Sequence, residues 1–157
     1  MEVAPALIGM HLVRKLPGGD TQRFIISETE AYKGSVDEAC HARKGLTERN
    51  RVMFEQGGFL YMYLIYGIHW MLNVVTGDPG DPQAVLIRGL KDIYGPGRLT
   101  KKLEIDGSFY GEELVSSKRI WIENGVGDVE VQTGPRIGIE YAGEYWKNVP
   151  WRYFLKE

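Results

Sequence analysis

Alternating apolar and polar residues in the first third of the chain predict a β-hairpin. Residues 9–15 (GMHLVRK) and 21–32 (TQRFIISETEAY) both have the pattern of a strand, and the turn-forming run LPGGD at residues 16–20 separates them. Residues 33–50 are polar and lack periodicity, so a long loop with at most one helical turn should follow. A loop of that length inside a compact domain is usually functional or mobile.

The rest of the chain continues as short strands with one helix. Aromatic and β-branched runs at residues 59–66 and 69–76, with Gly67 between them, predict two more strands. A run of turn-forming residues precedes a further strand at 83–90. The turn GPG at residues 95–97 opens a short amphipathic helix over 98–105. Late strands are predicted at 119–123, 129–132 and 136–141.

This order of elements predicts the α+β class. We expect one domain over residues 1–157, with a curved, mostly antiparallel β-sheet and a few helices. The 20 glycines fit many turns and a curved sheet. At 157 residues the chain is long enough to bury a core without disulfides or a structural metal.

Composition narrows the class of protein. Hydrophobic residues make up 43% and charged residues 25% of the chain, which argues against global disorder. A single cysteine excludes a disulfide framework and suits a reducing compartment, so we expect a cytoplasmic protein. No signal peptide is expected, since the start lacks a long apolar core. The most apolar stretch, residues 59–75, is interrupted by polar residues and is not expected to span a membrane.

The net charge taken alone argues against nucleic-acid binding, but the distribution of charge along the chain weakens that argument. The net charge is −2, whereas a general nucleic-acid binder is usually basic. Residues 1–40 carry a net −2, residues 41–102 a net +4 and residues 103–157 a net −4. Either this arrangement is chance, or the middle third of the chain faces an anion.

Glu28, Glu30 and Tyr32 occupy alternate positions of the second predicted strand, so their side chains share one face of it. Two carboxylates beside an aromatic ring are unusual on a face that packs into a core. One interpretation is an exposed polar face. The other is a carboxylate beside an aromatic wall, suited to activating water next to a stacked planar ligand.

His41 lies in the polar loop beside Cys40 and four residues after Asp37. A metal site is disfavoured, because adjacent side chains rarely converge on one ion and no second pair of ligands follows. The His-x-Glu and Cys-x-x-Cys pattern of a zinc deaminase is missing from the sequence. His41 is therefore interpreted either as a hydrogen-bond donor or as a plain surface histidine.

Tyrosines crowd the run LYMYLIYGIHW at residues 60–70. Such aromatic ladders usually belong to a core, but free rings could also stack on bases or wedge into DNA. Gly67 directly after Tyr66 indicates a tight turn from which the Tyr66 ring projects outward. Further on, the GPG turn with Arg98, Lys101 and Lys102 resembles a phosphate site at the start of a helix. That last pattern is weak alone, because many helices begin this way.

Together these segments resemble the alkyladenine (3-methyladenine, or methylpurine) DNA glycosylase family, from about residue 6 to residue 154. The resemblance rests on the motifs and their order more than on any one of them. The matching motifs are ETEAY at 28–32, DEA at 37–39 with His41, RNR at 49–51, MF at 53–54, LYMYLIYG at 60–67 with Asn73, VLIR at 85–88, GPGRL at 95–99, RIGI at 136–139 and AGE at 142–144. Family members usually carry a further N-terminal helix, which here is expected to be absent or replaced.

The resemblance implies a role for each of several residues. The carboxylate that activates water would be Glu30, and Arg88 would help to place that water and a backbone phosphate. The pocket for the flipped base is implied at Tyr32, His41, Tyr63 and Asn73, with the base between Tyr32 and His41 on one side and Tyr63 on the other. Tyr66 would fill the gap left in the duplex. We expect contacts with the DNA backbone at Arg49, Arg51, Gly97, Arg98 and Lys101.

The implied activity is that of a monofunctional glycosylase in base excision repair, with double-stranded DNA containing damaged purines as its substrate. The resemblance implies no metal, no small-molecule cofactor, no lyase activity, no membrane and a monomeric protein. Two alternatives remain open at this point. One is a nucleic-acid-binding module of the same fold that has lost the chemistry, and the other is an enzyme acting on RNA or nucleosides.

Overall fold

Antiparallel strands form most of the fold, which a computed structural model describes for residues 1–156. The strands are β1 (His11–Lys15), β2 (Thr21–Lys33), β3 (Leu60–Ile65), β4 (His69–Val75), β5 (Gln83–Leu90), β6 (Ile93–Tyr94), β7 (Ile120–Glu123), β8 (Val131–Gly134) and β9 (Arg152–Leu155). The α-helices are α1 (Val3–Ala6), α2 (Pro96–Lys102) and α3 (Gly143–Asn148). Turns of 3-10 helix cover Gly34–Val36, Arg51–Phe54, Gly107–Phe109 and Glu140–Ala142.

The strands form one curled sheet in the order β3-β4-β5-β2-β1-β7. Strand β2 is its longest member at 13 residues, and it changes neighbours along its length. Its first half pairs with β1, while its second half pairs with β5 on one side and β9 on the other. Strand β9 in turn pairs with β8. The curved, mostly antiparallel α+β domain predicted from the sequence is confirmed.

The main core lies between the sheet and the helices that cover it. Helix α2 packs against β4 and β5, and its Thr100 hydroxyl donates a hydrogen bond to the Trp70 carbonyl at 2.9 Å. Leu99 of this helix and Leu103, which follows its last residue, are fully buried. A second apolar cluster joins the loop after β2 to β3 and β5 through Cys40, Met53 and other residues. This second cluster supports the pocket described below.

Most predicted elements are present, with shifted ends. The two hairpins, the strand at 83–90 and the loop over 33–50 are confirmed, and that loop contains one 3-10 turn. The predicted helix over 98–105 instead begins at Pro96 and ends at Lys102. The strand predicted at 129–132 lies at Val131–Gly134. Near the start of the chain, the short helix α1 stands where no element was predicted.

The predicted strand over residues 136–141 is wrong. Its backbone and side chains make other contacts: the Arg136 side chain pairs with Asp37, and the Ile137 N–H binds the Glu30 carboxylate. Gly138 has a φ of 76°, which strands do not adopt. A 3-10 turn and helix α3 follow in place of the strand, and β9, which the sequence did not indicate, takes the place beside β2.

Within residues 1–156, no helix combines the length and apolar character needed to cross a lipid bilayer.

Candidate active site

A pocket of about 640 Å³ opens beside the second half of β2. That volume is typical of small-molecule sites. Strands β2 to β5, the loop after β2, the turn before α2 and the segment after Arg136 all contribute to its walls. Most of the side chains that line it are apolar or aromatic. The lining residues include Tyr32, His41, Met53, Tyr61, Tyr63, Met71, Asn73, Ala84, Leu86, Arg88, Ile137, Ile139 and Tyr141.

Two shifts of register shape the part of the sheet that holds Glu30 and Arg88. The pairing of β2 with β5 shifts register between Ile26 and Glu28 and again between Glu28 and Thr29. Arg88 is consequently left without a partner residue on β2, between the pairs made by Ile87 and Gly89. Bulges re-aim side chains and are frequent beside active sites. Here the bulge places the Arg88 guanidinium next to the carboxylates of β2.

Glu30 is fully buried and both of its carboxylate oxygens are held. The Tyr32 hydroxyl donates to Oε2 at 2.9 Å, and the Ile137 N–H donates to Oε1 at 2.8 Å. Burial raises the pKa of Glu30 above the ordinary value, while Arg88 and these two hydrogen bonds oppose the rise. An exposed polar face, one interpretation of the sequence pattern, is thereby excluded for Glu30. A carboxyl with a raised pKa is suited to general-base work near neutral pH.

Arg88 lies between Glu30 and Glu28. Its Nε is 3.6 Å from Oε1 of Glu30 and 3.3 Å from Oε1 of Glu28. Among the described residues this buried Nε has no hydrogen-bond partner of good geometry. Glu28 also accepts a hydrogen bond from Nη1 of Arg152 at 2.9 Å. The sequence placed Glu28 on the same face as Glu30 but gave no indication of Arg152.

The aromatic walls of the pocket differ from the expected sandwich in one respect. The ring centroids of His41 and Tyr63 are only 4.5 Å apart, in an edge-to-face arrangement. That is the separation of one contacting pair, so a base does not fit between these two rings. Tyr32 also lines the pocket, on strand β2.

His41 is held in one orientation by Tyr61. The Tyr61 hydroxyl lies 2.9 Å from Nδ1 of His41. A phenol that donates to Nδ1 leaves the ring proton on Nε2, which is then the free donor. Although part of the residue reaches solvent, burial of the ring and the nearby Arg49 guanidinium lower the pKa of His41 to about 4. The imidazole is therefore neutral at pH 7.

Asn73 is a buried residue of β4 that lines the pocket. Its amide nitrogen donates to the carbonyls of Tyr61 and Met71, at 3.2 and 3.4 Å. With both N–H groups directed at the backbone, the side-chain oxygen is the atom of this amide left for a ligand. The site thus offers an acceptor from Asn73 and a donor from His41.

Tyr66 stands at the tip of the hairpin that joins β3 to β4, at the edge of the pocket. The Ile68 N–H donates to the Ile65 carbonyl at 3.1 Å and closes a tight turn. Tyr66 and Gly67 both have positive φ, 52° and 69° respectively. Tyr66 is 90% exposed, so its ring projects outward as the sequence predicted.

Three of the five residues predicted to contact a DNA backbone lie at the pocket. Arg49, Gly97 and Arg98 line it, and the Arg49 guanidinium sits 5.4 Å from the centroid of Tyr63. Lys101 and Arg51 are exposed but do not line the pocket, and Arg51 approaches Glu48 at 3.6 Å. The structure thus brings Arg49, Gly97 and Arg98 to one opening.

A buried ion pair fixes the loop that carries His41. Arg136 donates to both carboxylate oxygens of Asp37, at 2.6 and 2.9 Å, and both side chains are fully buried. The same guanidinium lies 4.7 Å from the centroid of Tyr32. Arg136 does not line the pocket whereas Tyr32 does, so the Tyr32 ring has Arg136 behind it. This bidentate pair ties the loop to the segment that holds Glu30.

No group of three or more His, Cys, Asp or Glu side chains within residues 1–156 is arranged to hold a metal ion. Cys40 lines the pocket, but burial raises the pKa of its thiol to about 11. A thiol of that pKa is protonated and unreactive at neutral pH.

Comparison with known proteins identifies the family. The family model described as methylpurine-DNA glycosylase (MPG) matches residues 1–94 and 91–157. The chain belongs to the methylpurine-DNA glycosylase family. This membership places it among the DNA glycosylases, which are hydrolases of base excision repair.

Similar proteins in bacteria and archaea agree with the methylpurine-DNA glycosylase assignment. A protein of Methanocella arvoryzae is 42% identical over 99% of this chain and 87% of its own length. One of Borreliella burgdorferi is 40% identical over 99% of this chain and 90% of its own. One of Psychrobacter cryohalolentis is 42% identical over 90% of this chain and 81% of its own. Each is named "Putative 3-methyladenine DNA glycosylase".

Proposed function

We propose that this chain is a monofunctional DNA glycosylase that removes alkylated or deaminated purines, of the 3-methyladenine, 7-methylguanine and hypoxanthine class, from duplex DNA. The observation that carries the proposal is the fully buried Glu30 carboxylate, which contacts three residues that line an aromatic pocket, namely Tyr32, Arg88 and Ile137. Burying a carboxylate costs free energy, so a fold rarely keeps one directly behind a pocket without a function. The names of the similar proteins support the same chemistry.

The first step is extrusion of the damaged nucleotide from the helix, which costs a few kcal/mol. Tyr66 enters the duplex from the minor groove, occupies the space that the base leaves and opposes its return. The exposure of this ring at the pocket edge supports the assignment. Arg49, Arg98 and the backbone at Gly97 contact phosphates around the opening, and Arg51 and Lys101 contact phosphates further out.

The extruded purine stacks between Tyr32 and Tyr63. A cationic alkylated purine gains about 0.5–2 kcal/mol from each aromatic face. Nε2 of His41 donates to an acceptor on the edge of the base. We propose that Asn73 leaves too little room at the purine 2-position for the amino group of guanine to form a hydrogen bond without a steric clash, which disfavours the undamaged base.

The second step is hydrolysis of the N-glycosidic bond. Arg88 and the backbone hold a water molecule, and Glu30 takes a proton from it as the oxygen attacks C1′ of the sugar. The C1′–N bond breaks and its electron pair leaves with the base, while the negative charge of Glu30 stabilises the positive charge that develops on the sugar. The products are a free base and an intact strand with an abasic site.

The pocket lining supports the proposed lack of lyase activity. A lyase needs an amine that forms a Schiff base with the sugar. Among the described residues that line the pocket there is no lysine, and Lys33, which follows Tyr32, is exposed at the end of β2.

The deciding experiment is base release from a duplex that contains hypoxanthine, with and without alkali. We expect free hypoxanthine and a strand that breaks only after alkali treatment. Glu30→Gln should bind a duplex with an abasic-site analogue but release base at least about 10²-fold more slowly. Strand breaks before alkali would reject the monofunctional mechanism, and wild-type release by Glu30→Gln would reject Glu30 as the base.

The same assay separates the two alternatives. A binding module without catalysis would bind the lesion duplex and release no base. An enzyme for RNA or nucleosides would cleave inosine or a lesion in RNA in preference to the DNA duplex.

A further inference from the structure

The guanidinium of Arg88 approaches two carboxylates, but its Nε forms a close hydrogen bond with neither of them. Its Nε lies 3.3 Å from Glu28 and 3.6 Å from Glu30, and it makes no hydrogen bond of good geometry to a described residue. A bidentate arginine–carboxylate pair has shorter, parallel contacts of about 2.7–2.9 Å. Something therefore keeps Arg88 from closing onto Glu30.

Glu28 is itself anchored by strand β9, which lies on the opposite side of β2 from β5. Nη1 of Arg152 donates to the same Glu28 oxygen that approaches Arg88, at 2.9 Å. Nε of Arg152 donates to the Pro135 carbonyl at 2.8 Å. Two residues later, the Ile137 N–H binds Glu30 at 2.8 Å. The contacts thus form a closed ring that starts and ends at Glu30.

The backbone at the bulge leaves room for this arrangement. Gly89 pairs with Glu28 across the two strands. A Cβ at Gly89 would lie 3.1 Å from the Glu28 Cβ and 3.3 Å from one of its carboxylate oxygens. Both distances are tighter than ordinary packing, so a side chain at this position would press on Glu28.

Glu28 and Arg152 do not face the pocket that holds the base. Both line a second cavity, together with Lys91, Asp92 and Phe154, whereas Arg88 and Tyr32 line the first. Glu28 does not line the pocket for the base, so it acts on the reaction indirectly, either through Arg88 or through the field of its own charge at Glu30.

We propose that Glu28, anchored by Arg152, competes with Glu30 for Arg88 and so prevents a full ion pair between Arg88 and Glu30. Glu28 is a positioning residue for the reaction described above, and this inference rests on that proposed function. The competition leaves an Arg88 nitrogen available to hold water. It also leaves Glu30 basic enough to take a proton from that water.

Several other charged and titratable groups face Glu30, and all of them stay in place in the variants below. Tyr32 contacts it from β2, Tyr63 faces it from β3, and the Arg136–Asp37 pair lies behind Tyr32. Two variants change the competition in opposite directions. Glu28→Gln removes the competitor, and Arg152→Met frees Glu28 to draw Arg88 away from Glu30.

The test is a titration of the Glu30 carboxyl by NMR with ¹³C-labelled glutamate, assigned with Glu30→Gln. We expect Glu28→Gln to lower the pKa of Glu30, because Arg88 then pairs with it and favours its charged form. We expect Arg152→Met to raise the pKa of Glu30, with Arg152→Lys closer to wild type. A role in packing alone would not move the titration in opposite directions. Shifts of the same sign, or none, would overturn the proposal.

A double-variant comparison separates competition for Arg88 from the direct field of the Glu28 charge. In an Arg88→Met background, Glu28→Gln should move the Glu30 titration much less than it does in the wild-type background. An equal shift in both backgrounds would show that Glu28 does not act through Arg88. Glu28→Asp, which keeps the charge, provides a second variant should Glu28→Gln fold poorly.

The kinetic part of the test uses single-turnover base release from the hypoxanthine duplex. Glu28→Gln should lower the rate about tenfold at neutral pH, because a carboxylate of lower pKa is a weaker base. Its affinity for DNA should be unchanged. Glu123→Gln removes the exposed ion pair between Glu123 of β7 and Arg23, and it serves as the matched control. If the wild type releases no base, the proposed function fails, while the titration still decides the competition.

Discussion

Glu30 is the clearest case of a residue whose position disfavours folding. Its carboxylate has no solvent exposure, and burial raises its pKa above the ordinary 4.5. A carboxyl with a raised pKa in the folded state binds more protons there than in the unfolded state. Its contribution to stability is therefore present below about pH 4.5 and is lost as the pH rises through the folded pKa.

We predict from this that Glu30→Gln is more stable than wild type at pH 7 and gains little at pH 4. Gln has the shape of the protonated side chain and cannot ionise. The measurement is the free energy of unfolding by urea at both pH values. Glu123→Gln provides a control of opposite sign, since its hydrogen bond with Arg23 lowers the pKa of Glu123. A Glu30→Gln variant less stable than wild type at pH 7 would contradict the cost of the buried charge.

The ring and the hydroxyl of Tyr32 can be tested separately, because the residue lines the pocket while its hydroxyl bonds to Glu30. Its O–H donates to Glu30 and favours the charged carboxylate. We predict that Tyr32→Phe keeps the ring but moves the acidic limb of the pH–rate profile to higher pH, because the pKa of Glu30 rises. Tyr63→Phe removes a hydroxyl from the other wall and should leave that limb in place. Identical profiles for both variants would contradict the assignment.

At the scale of elements, the turn between β3 and β4 holds the exposed ring of Tyr66 on a strained backbone. Tyr66 has a φ of 52°, and a left-handed conformation costs a residue other than glycine about 1–2 kcal/mol. Glycine adopts this conformation without that cost. It also makes the unfolded chain more flexible, which lowers the free energy of unfolding by about 0.4–1 kcal/mol.

We therefore predict that Tyr66→Gly folds at least as stably as wild type but binds duplex DNA much more weakly. Thermal unfolding and binding to a lesion duplex measure the two effects. Val115→Ala, at a position that is 89% exposed and away from the pocket, should change neither. A loss of stability without a loss of DNA affinity would show that the ring serves the fold.

The sequence predicted those elements whose signal is local. Alternation and the position of Gly67 were enough for both hairpins and for the exposed Tyr66. The segment after Arg136 could not be predicted in this way, because its conformation depends on partners about 100 residues away, namely Asp37 and Glu30. Its apolar residues alternate as in a strand, but its polar groups are held by those distant carboxylates.

The same distinction holds within the candidate site. The resemblance to the family was sufficient to select Tyr32 and His41, which line one pocket, and Glu30, which accepts a hydrogen bond from the Tyr32 hydroxyl. The contact of His41 with Tyr63 depends on how two separate elements pack, and no sequence pattern records it. The ring through Glu28 and Arg152 likewise depends on the pairing of β2 with β9, a strand that the sequence did not indicate.

At the scale of the whole molecule, the net charge of −2 hides an uneven arrangement. The basic middle third contributes Arg49 and Arg98 to the pocket opening. It also contributes Lys91 to the second cavity, so its positive charges do not all face the pocket. DNA affinity should therefore depend on particular cations near the opening and not on total charge.

Salt dependence measures this directly, because each phosphate that a protein neutralises contributes about 0.9 to the slope of log K against log salt. We predict that Arg98→Ala lowers the slope by about 1 and weakens binding to damaged and undamaged duplexes alike. Lys91→Ala removes the same charge from the second cavity and should leave the slope unchanged. Equal effects of the two variants would mean that net charge governs binding, and an unchanged slope for Arg98→Ala would remove Arg98 from the DNA contacts.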